Sequence, residues 1–215
     1  MEITGENYVY ADHLRVEILN MVPKTGHIIG SVGCGQARTE GALVEAGREV
    51  HGVDVSERAI KIAKQRLTSA RVIGYDETMP FAAESLDGLM LLDVIEHIPL
   101  AWERLAEYTK MVKKGGWVVI SVPNMRHLEA LTQLVIKGDW PEYDAGTFDK
   151  THIQVMTHKR LLRWGELAGL QHQSWHDAYR WATLPHYFYQ LLDLMTFKIF
   201  KSFFHNQILA VFTRI

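Results

Sequence analysis

The feature that most constrains the fold of this chain is a short apolar segment that runs directly into closely spaced glycines, at residues 28–37. The segment IIGSV is apolar and β-branched, Gly33 and Gly35 follow it, and apolar residues then recur at helical spacing from Thr39 to Ala46. This order predicts a strand, a glycine turn and a helix, where a ligand reaches backbone amides and a helix N-terminus without meeting a Cβ atom. The alternative is a tight turn that packs the helix on the strand and binds nothing.

A second strand and an acidic residue follow at the spacing expected of a nucleoside site. Residues Glu49 to Val53 have strand character, Asp54 ends them, and Ser56 is a suitable N-cap for a helix from Glu57 to Leu67. Asp54 stands about 20 residues after Gly35, where a carboxylate accepts hydrogen bonds from both hydroxyls of a ribose. Together the glycines and the acid predict a bound nucleoside, whereas a lone aspartate here would be an ordinary strand-end residue.

The remaining sequence continues the alternation of helices and strands. Strands are predicted at Arg71–Gly74, Leu86–Leu92, Trp117–Val122, Leu170–Trp175 and Gln207–Thr213. Helices are predicted at Tyr8–Met21, Trp102–Val112, Asn124–Lys137 and His158–Leu167, the second of them ending through Lys113, Lys114, Gly115 and Gly116. Because Leu86–Leu92 is almost continuously apolar, it predicts a strand covered on both faces, with a carboxyl end where ligands bind in open α/β sheets.

Composition and charge exclude several classes of protein. A chain of 215 residues with 47% hydrophobic and 22% charged residues fits one domain, 1–215, and no low-complexity linker divides it. A net charge of -2 provides no basic surface for nucleic acid. The single cysteine, Cys34, excludes an internal disulfide and is predicted to fill space between the glycines. The N-terminus lacks a secretory signal and no apolar run reaches about 18 residues, so we predict a cytoplasmic protein without a membrane span.

Two segments have no clear place in this alternation. Residues 138–157 mix aromatic and acidic side chains with a histidine and have no hydrophobic period. This pattern indicates an insertion that covers a pocket as a lid, rather than a core element. Residues 184–204 are rich in Phe, Leu, Tyr and Met. Three interpretations of this C-terminal helical insertion stay open: a core or lid helix, a homodimer interface, or a patch on a membrane surface.

Five motifs occur in a fixed order between Ile28 and Leu170, and this order resembles the class I S-adenosylmethionine-dependent methyltransferases. The motifs are SVGCGQA, GVDVSERAI, DETMPF, SLDGLMLLDVIEHI and ISVPN. Two further stretches, SVPNMRH and FDKTHIQVMT, are similar to a bacterial subgroup associated with surface-glycan or small-molecule biosynthesis. The resemblance implies a doubly wound, Rossmann-like α/β fold with helices on both faces of a seven-stranded, mostly parallel sheet whose last strand, Gln207–Thr213, is antiparallel.

The resemblance also implies S-adenosylmethionine as the cofactor, S-adenosylhomocysteine as its product, and a role for each site residue. The backbone of Gly33, Cys34 and Gly35 would lie against the methionyl group, Asp54 would hold the ribose, Val55 would flank the adenine, Asp76 or Glu77 would meet the adenine amino group, and Asp93 would lie near the methionyl amine. Ser31 stands where the family usually has an acid that orients this amine, which predicts weaker binding. Ala37 replaces a third glycine and is small enough for close packing of the helix.

The acceptor is predicted to be a small molecule, methylated on a hydroxyl oxygen by in-line displacement. His97, just beyond the fourth strand, is the candidate base, with Glu96 beside it to orient the imidazole. The alternative is a histidine that only caps or packs. Further candidates for contacting the acceptor are Tyr8, Tyr10, Asp149 and His152. Neither His-Glu-x-x-His nor Cys-x-x-Cys occurs, so no required metal is predicted.

Two other functions compete with methyl transfer. Because Ser31 weakens the predicted site, the chain also fits a sensor or partner subunit that binds S-adenosylmethionine or its product without turnover. A nicotinamide-dependent dehydrogenase fits less well, since it requires a third glycine three residues after Gly35, where Arg38 stands.

Overall fold

The architecture is a seven-stranded sheet between layers of helices, in a computed structural model that describes residues 12–74, 77–178, 194 and 201–215. The strands are β1 (Ile28–Val32), β2 (Glu49–Asp54), β3 (Ser69–Val72), β4 (Leu86–Leu92), β5 (Val112–Pro123), β6 (Leu170–Trp175) and β7 (Gln207–Arg214). The α-helices are α1 (Val16–Met21), α2 (Arg38–Glu45), α3 (Glu57–Ala63), α4 (Ala101–Thr109), α5 (Leu128–Leu131), α6 (His158–Leu167) and α7 (Lys201–Phe204), with a 3-10 turn at Ile95–His97 and a π-helix at Thr132–Lys137.

The strands lie in the order β3-β2-β1-β4-β5-β7-β6. Strands β1 to β5 pair in parallel, whereas β7 is antiparallel to both β5 and β6. The predicted Rossmann-like sheet with an antiparallel last strand is therefore confirmed. The strand order reverses between β1 and β4, and the carboxyl ends of these two strands open a crevice in which a ligand can bind.

Alternating side chains of the central strands divide the core into two layers, one on each face of the sheet. Leu89 of β4 packs in the same layer as Leu105 of α4. Met90, the next residue of β4, packs in the other layer with Leu43 of α2 and Ile60 of α3. Each of these side chains is almost fully buried, which stabilises the fold by roughly 1.5–3 kcal/mol per side chain. The continuous apolar run of β4 is thus explained by burial on both faces.

The boundary predicted between α4 and β5 is wrong. The sequence places residues 113–116 at the end of a helix, but α4 ends at Thr109 and these residues belong to β5. The pairing of β5 with β4 shifts register between Leu86 and Gly88, so the extra residues bulge out of the ladder. The ring of Trp117 then packs on Gly88, where an added Cβ atom would lie 2.2 Å from it.

Two predicted helices begin later in the structure, α3 ends at Ala63 instead of Leu67, and β3 spans Ser69–Val72 instead of residues 71–74. Helix α1 begins at Val16, and residues 8–11 of the predicted helix lie outside the described residues. The helix predicted at 124–137 begins only at Leu128 and continues as the π-helix. Asn124 starts a turn instead, since its Oδ1 accepts from the amide of Arg126 and its carbonyl oxygen accepts from the amide of His127, both at 3.0 Å.

The two segments without a clear place in the alternation of helices and strands differ in how far the structure describes them. Residues 138–157 contain no helix or strand, only an isolated bridge between Tyr143 and Asp149. Of residues 184–204, Leu194 and Lys201–Phe204 are described, and both are helical. The predicted homodimer interface in this segment therefore falls almost entirely outside the described residues. Across the ranges given above, no helix combines the length and the apolar character that crossing a membrane requires.

Candidate active site

Three backbone amides of the glycine turn after β1 donate hydrogen bonds to other groups of the protein. Gly33 and Gly35 have left-handed φ angles of 67° and 52°, which glycine adopts without strain. The amides of Gly33 and Cys34 donate to the carbonyl oxygen of Val53, at 2.8 and 3.0 Å, and the amide of Gly35 donates to Asp54 Oδ2 at 2.8 Å. The expectation that these amides are open to a ligand is therefore wrong.

The third glycine position of the turn is occupied by an alanine in a glycine conformation. Ala37 is buried and has a φ of 57°. Its small side chain fits the space, as the sequence predicts, but an L-residue in this region carries a backbone strain of roughly 1–2 kcal/mol. The replacement is thus less mild than side-chain size alone suggests.

Asp54 is buried and fixes the turn. Its Oδ2 accepts from Gly35, and its Oδ1 accepts from the amide of Ser56 at 2.9 Å. Val55 is half-buried and Glu77 is exposed, while Asp76 lies outside the described residues. The contacts predicted for these residues with ribose and adenine stay predictions.

Cys34 has the environment of a packing residue. Its thiol is buried, and burial raises the pKa of the Cys34 thiol well above its ordinary value. A thiol that stays protonated is a poor nucleophile, which agrees with the predicted space-filling role.

Asp93, at the end of β4, is held by three side chains from three other elements. Its Oδ1 accepts from the Ser121 hydroxyl at 2.6 Å and from the Gln207 amide, and its Oδ2 accepts from the Arg15 guanidinium at 3.2 Å. Asp93 has a φ of 56°, a strained value for a non-glycine residue that is typical of functional positions. Arg15 is itself buried and also donates to the Ser121 hydroxyl. Sequence reasoning missed Arg15, because one cation near a helix start carries no motif.

A second missed residue is Glu40, which brings a carboxylate to Ser31. The Ser31 hydroxyl donates to Glu40 Oε1 at 2.8 Å, and both side chains are buried. Burial raises the pKa of the Glu40 carboxyl, while Arg15 opposes that shift. The carboxyl group missing from the strand at Ser31 therefore has a counterpart on α2. An acid within the first turn after the glycines was the only signal in the sequence.

The two predicted catalytic residues, His97 and Glu96, come together with two predicted acceptor contacts, Asp149 and His152, from the turn after β4 and from residues 138–157. The imidazole rings of His97 and His152 are 4.7 Å apart between centroids. His152 Nε2 is 4.0 Å from Glu96 Oε1. Asp149 is buried nearby, and its Oδ1 accepts from the amide and the hydroxyl of Thr151, at 2.8 and 2.6 Å. The remaining two candidates, residues 8 and 10, lie outside the described residues.

The proton positions on both histidines follow from their partners. His97 Nδ1 lies 2.9 Å from the Thr151 hydroxyl, which donates its own proton to Asp149, so Nδ1 carries a proton. Thr151, which sequence reasoning missed, thus orients His97, the role predicted for Glu96. His152 Nδ1 lies 3.2 Å from the carbonyl oxygen of Thr147 and must donate to it. In both rings the lone pair is therefore on Nε2.

Burial keeps both imidazoles neutral. Desolvation, followed by the neighbouring His152, lowers the pKa of His97 to about 4. Desolvation likewise lowers the pKa of His152. At neutral pH each ring offers a lone pair rather than a positive charge.

One cavity connects these groups. Its lining includes Arg15, Gly35, Glu40 and Asp93 at one end and His97, Asp149 and His152 at the other. The cavity lies at the carboxyl ends of β1 and β4, where the strand order reverses. The fold and this site define a doubly wound α/β protein with a ligand-binding cavity where its strand order reverses.

Comparisons with known proteins identify the cofactor and the class of reaction. The family described as "Methyltransferase domain" matches residues 31–120. The ubiquinone biosynthesis O-methyltransferase of Thiobacillus denitrificans is 27% identical over 172 residues, which cover 74% of each chain. That of Burkholderia lata is 30% identical over 165 residues, which cover 70% of this chain and 66% of the relative. A SAM-dependent methyltransferase structure from Archaeoglobus fulgidus superposes with a TM-score of 0.67 at 18% identity, covering 93% of this chain and 92% of that one.

The chain belongs to the class I S-adenosylmethionine-dependent methyltransferases. It is an enzyme of that class, with S-adenosylmethionine as its cofactor, as the five ordered motifs predict. The match covers the glycine turn, Asp54 and β4 but ends within β5. Of the residues at the second end of the cavity, His97 lies within the match, whereas Asp149 and His152 lie beyond it.

Proposed function

We propose that this enzyme transfers the methyl group of S-adenosylmethionine to a hydroxyl oxygen of a small molecule by in-line displacement. The observation that carries the proposal is the cavity itself, which joins a charged end formed by Arg15, Glu40 and Asp93 to an end lined by two neutral imidazoles. The first end suits an amino acid group, and the second suits a hydroxyl.

The charged end fits the methionyl group of the cofactor. That group carries one ammonium and one carboxylate, and the cavity offers carboxylates at Glu40 and Asp93 and a guanidinium at Arg15. Ser31 and Ser121 hold the two acids in place through their hydroxyls. Glu40 would thus take the role that the family gives to an acid at position 31. When bound, the cofactor supplies an electrophilic methyl carbon on a sulfonium.

The imidazole end would position and deprotonate the acceptor. His97 is neutral with its lone pair on Nε2, so it can accept the hydroxyl proton as the acceptor oxygen becomes nucleophilic. Thr151 and Asp149 hold the ring through Nδ1. His152 would contact the acceptor from the opposite side, because its ring lies against His97. The names of the relatives, which are O-methyltransferases, favour oxygen as the acceptor atom.

Residues 138–157 would form a lid over the acceptor end within a single domain spanning the chain. They supply Asp149, Thr151 and His152 to the site. Their far end is tied to the 3-10 turn after β4, since the carbonyl oxygen of Glu96 accepts from the amides of Ile153 and Gln154, at 3.0 and 3.1 Å. Such a segment sets the shape of the acceptor pocket and excludes water from it.

The proposal is tested by cofactor binding and by turnover on an acceptor panel. Calorimetry with S-adenosylmethionine and S-adenosylhomocysteine should show binding at one site. Methyl transfer is then followed by mass spectrometry with phenols, catechols, sugar hydroxyls and matched amines. We expect a mass gain of one methyl group on hydroxyl acceptors and none on the amines. Donor binding without turnover on any acceptor would favour the sensor instead, and methylation of amines alone would refute oxygen as the acceptor atom.

A further inference from the structure

We propose that Glu96, His97 and His152 bind one divalent transition-metal ion, such as Zn²⁺ or Mn²⁺, at the acceptor end of the cavity. One ligand atom from each of these residues lies within 4.8 Å of the other two. Glu96 and His97 come from the turn after β4, and His152 lies about 55 positions later on the segment 138–157. No local spacing in the sequence could therefore reveal the set. The prediction of no required metal rested on local spacing alone.

The donor set matches this class of cation. Two imidazoles and one carboxylate suit Zn²⁺, Mn²⁺ and their neighbours, whereas Mg²⁺ and Ca²⁺ prefer oxygen ligands. Each imidazole donates from Nδ1 and so presents its Nε2 lone pair, as a metal ligand must. The 4.0 Å between His152 Nε2 and Glu96 Oε1 is longer than the separation of about 3.4 Å between ligands in a tetrahedral zinc site. Binding would therefore draw the two side chains together by roughly half an ångström.

The groups behind the ligands have the arrangement found around metal-bound histidines. Each imidazole donates its Nδ1 proton to the protein, His97 to the Thr151 hydroxyl and His152 to the carbonyl oxygen of Thr147. Such bonds fix the ring and direct the Nε2 lone pair to the metal. Thr151 is held in turn by Asp149.

A second observation points to a cation here. Asp149 is 4% exposed and lines the cavity, and its Oδ2 is buried without a hydrogen bond to any residue in the described part of the chain. Glu96 brings a second buried carboxylate to the same end of the cavity. The acceptor end thus carries an excess of negative charge that a divalent cation would balance.

The inference deepens the proposed function and rests on it for the acceptor's location. With three protein ligands, a four- or five-coordinate ion keeps a position open to the cavity, and the acceptor hydroxyl would fill that position. Coordination lowers the pKa of the hydroxyl, whose proton passes to solvent. The oxygen then forms the O–CH₃ bond while the S–CH₃ bond breaks, leaving a thioether. His97 acts in this version as a ligand and not as the base.

The test measures metal binding and cofactor binding separately on tag-free, EDTA-treated protein. Titration with Zn²⁺ or Mn²⁺ should show one equivalent bound with a dissociation constant below about 1 μM, and Mg²⁺ should bind far more weakly. Glu96→Gln and His152→Ala should each weaken Zn²⁺ binding by at least about 100-fold, with circular dichroism reporting the fold. His51→Ala is the matched control, since His51 lies 2.9 Å from Glu49 but has no third ligand nearby in the described structure. It should bind Zn²⁺ like the parent.

The outcomes separate this inference from the proposed function. Absence of stoichiometric Zn²⁺ and Mn²⁺ binding in the folded parent, or binding that both substitutions leave unchanged, overturns the metal site. Methyl transfer that continues in EDTA would also overturn the metal's part while leaving the proposed function intact. Metal binding combined with loss of S-adenosylhomocysteine binding in EDTA would contradict the separation of the two ends of the cavity, on which the inference depends.

Discussion

Glu40 offers the sharpest test of how this enzyme holds its cofactor. Glu40→Gln keeps the shape of the side chain and an oxygen that accepts from Ser31, but it removes the negative charge. At a separation of about 3 Å and an effective dielectric constant of about 20, the attraction between a carboxylate and an ammonium is about 5 kcal/mol. Desolvation of the two groups offsets part of this, which leaves a net contribution of about 1.5–3 kcal/mol.

We expect the dissociation constant for S-adenosylhomocysteine to rise roughly 10- to 150-fold. Calorimetry measures this constant without any turnover. The matched control is Glu45→Gln, which makes the same chemical change on an exposed residue of the same helix and should leave the affinity unchanged. An affinity for Glu40→Gln within twofold of the parent would refute the assignment of Glu40.

A double variant asks whether the position of the charge is what matters. Ser31→Asp combined with Glu40→Gln returns the acid to the strand and should recover most of the lost affinity, because the two side chains are 2.8 Å apart. Ser31→Asp alone places two carboxylates side by side and should bind the cofactor no better than the parent. A double variant as weak as Glu40→Gln alone would show that the two positions are not equivalent.

Three further substitutions test the framework around the site by urea unfolding. Ala37→Gly should stabilise the fold by about 0.5–1 kcal/mol, because the left-handed strain at φ 57° exceeds the entropy cost of glycine; lower stability would contradict that strain. Asp87→Asn should cost about 1–2 kcal/mol, since Asp87 accepts from two backbone amides and Lys113. These contacts, that with Lys113 first, lower the pKa of Asp87 to about 2, so its contribution to the free energy of unfolding is present above about pH 4 and is lost towards pH 2. If the variant lost stability below pH 4 as steeply as the parent, this assignment would be refuted. Burial and the nearby His205 lower the pKa of His127 to about 4. The unfolded chain therefore binds a proton at a higher pH than the folded chain, and the free energy of unfolding should fall by about 1–3 kcal/mol as the pH drops from 6.5 to 4. His127→Gln should flatten that slope, and an unchanged slope would assign it to other groups.

The fold could be predicted from the sequence because its signals are local. The apolar run of β4 and the turn at Gly33 and Gly35 each determine their own element, and their order along the chain specifies a parallel sheet. The start of β5 was misplaced for a physical reason. Residues 113–116 have the cations and glycines of a helix end, and only the pairing with β4 and the packing of Trp117 on Gly88 reveals a bulged strand.

The site was predictable only where a motif specifies it. Asp54 and Asp93 follow strands whose carboxyl ends must meet at the crevice, so their location follows from topology. Arg15 and Thr151 belong to no motif, and their contacts with Asp93 and His97 join parts of the chain 78 and 54 residues apart. Such pairings depend on how loops pack, and single-sequence periodicity contains no information about that packing.

The relation between Ser31 and Glu40 shows why a departure from a motif is weak evidence for lost function. The cofactor responds to the position of a negative charge, and the backbone segment that supplies the charge is immaterial to it. Strand β1 and helix α2 meet at the glycine turn, so residues 31 and 40 reach the same volume from two sides. A carboxylate lost from the strand can therefore be replaced from the helix while the charge of the pocket is preserved. The serine that first suggested a weakened site then becomes the donor that holds the replacement in place.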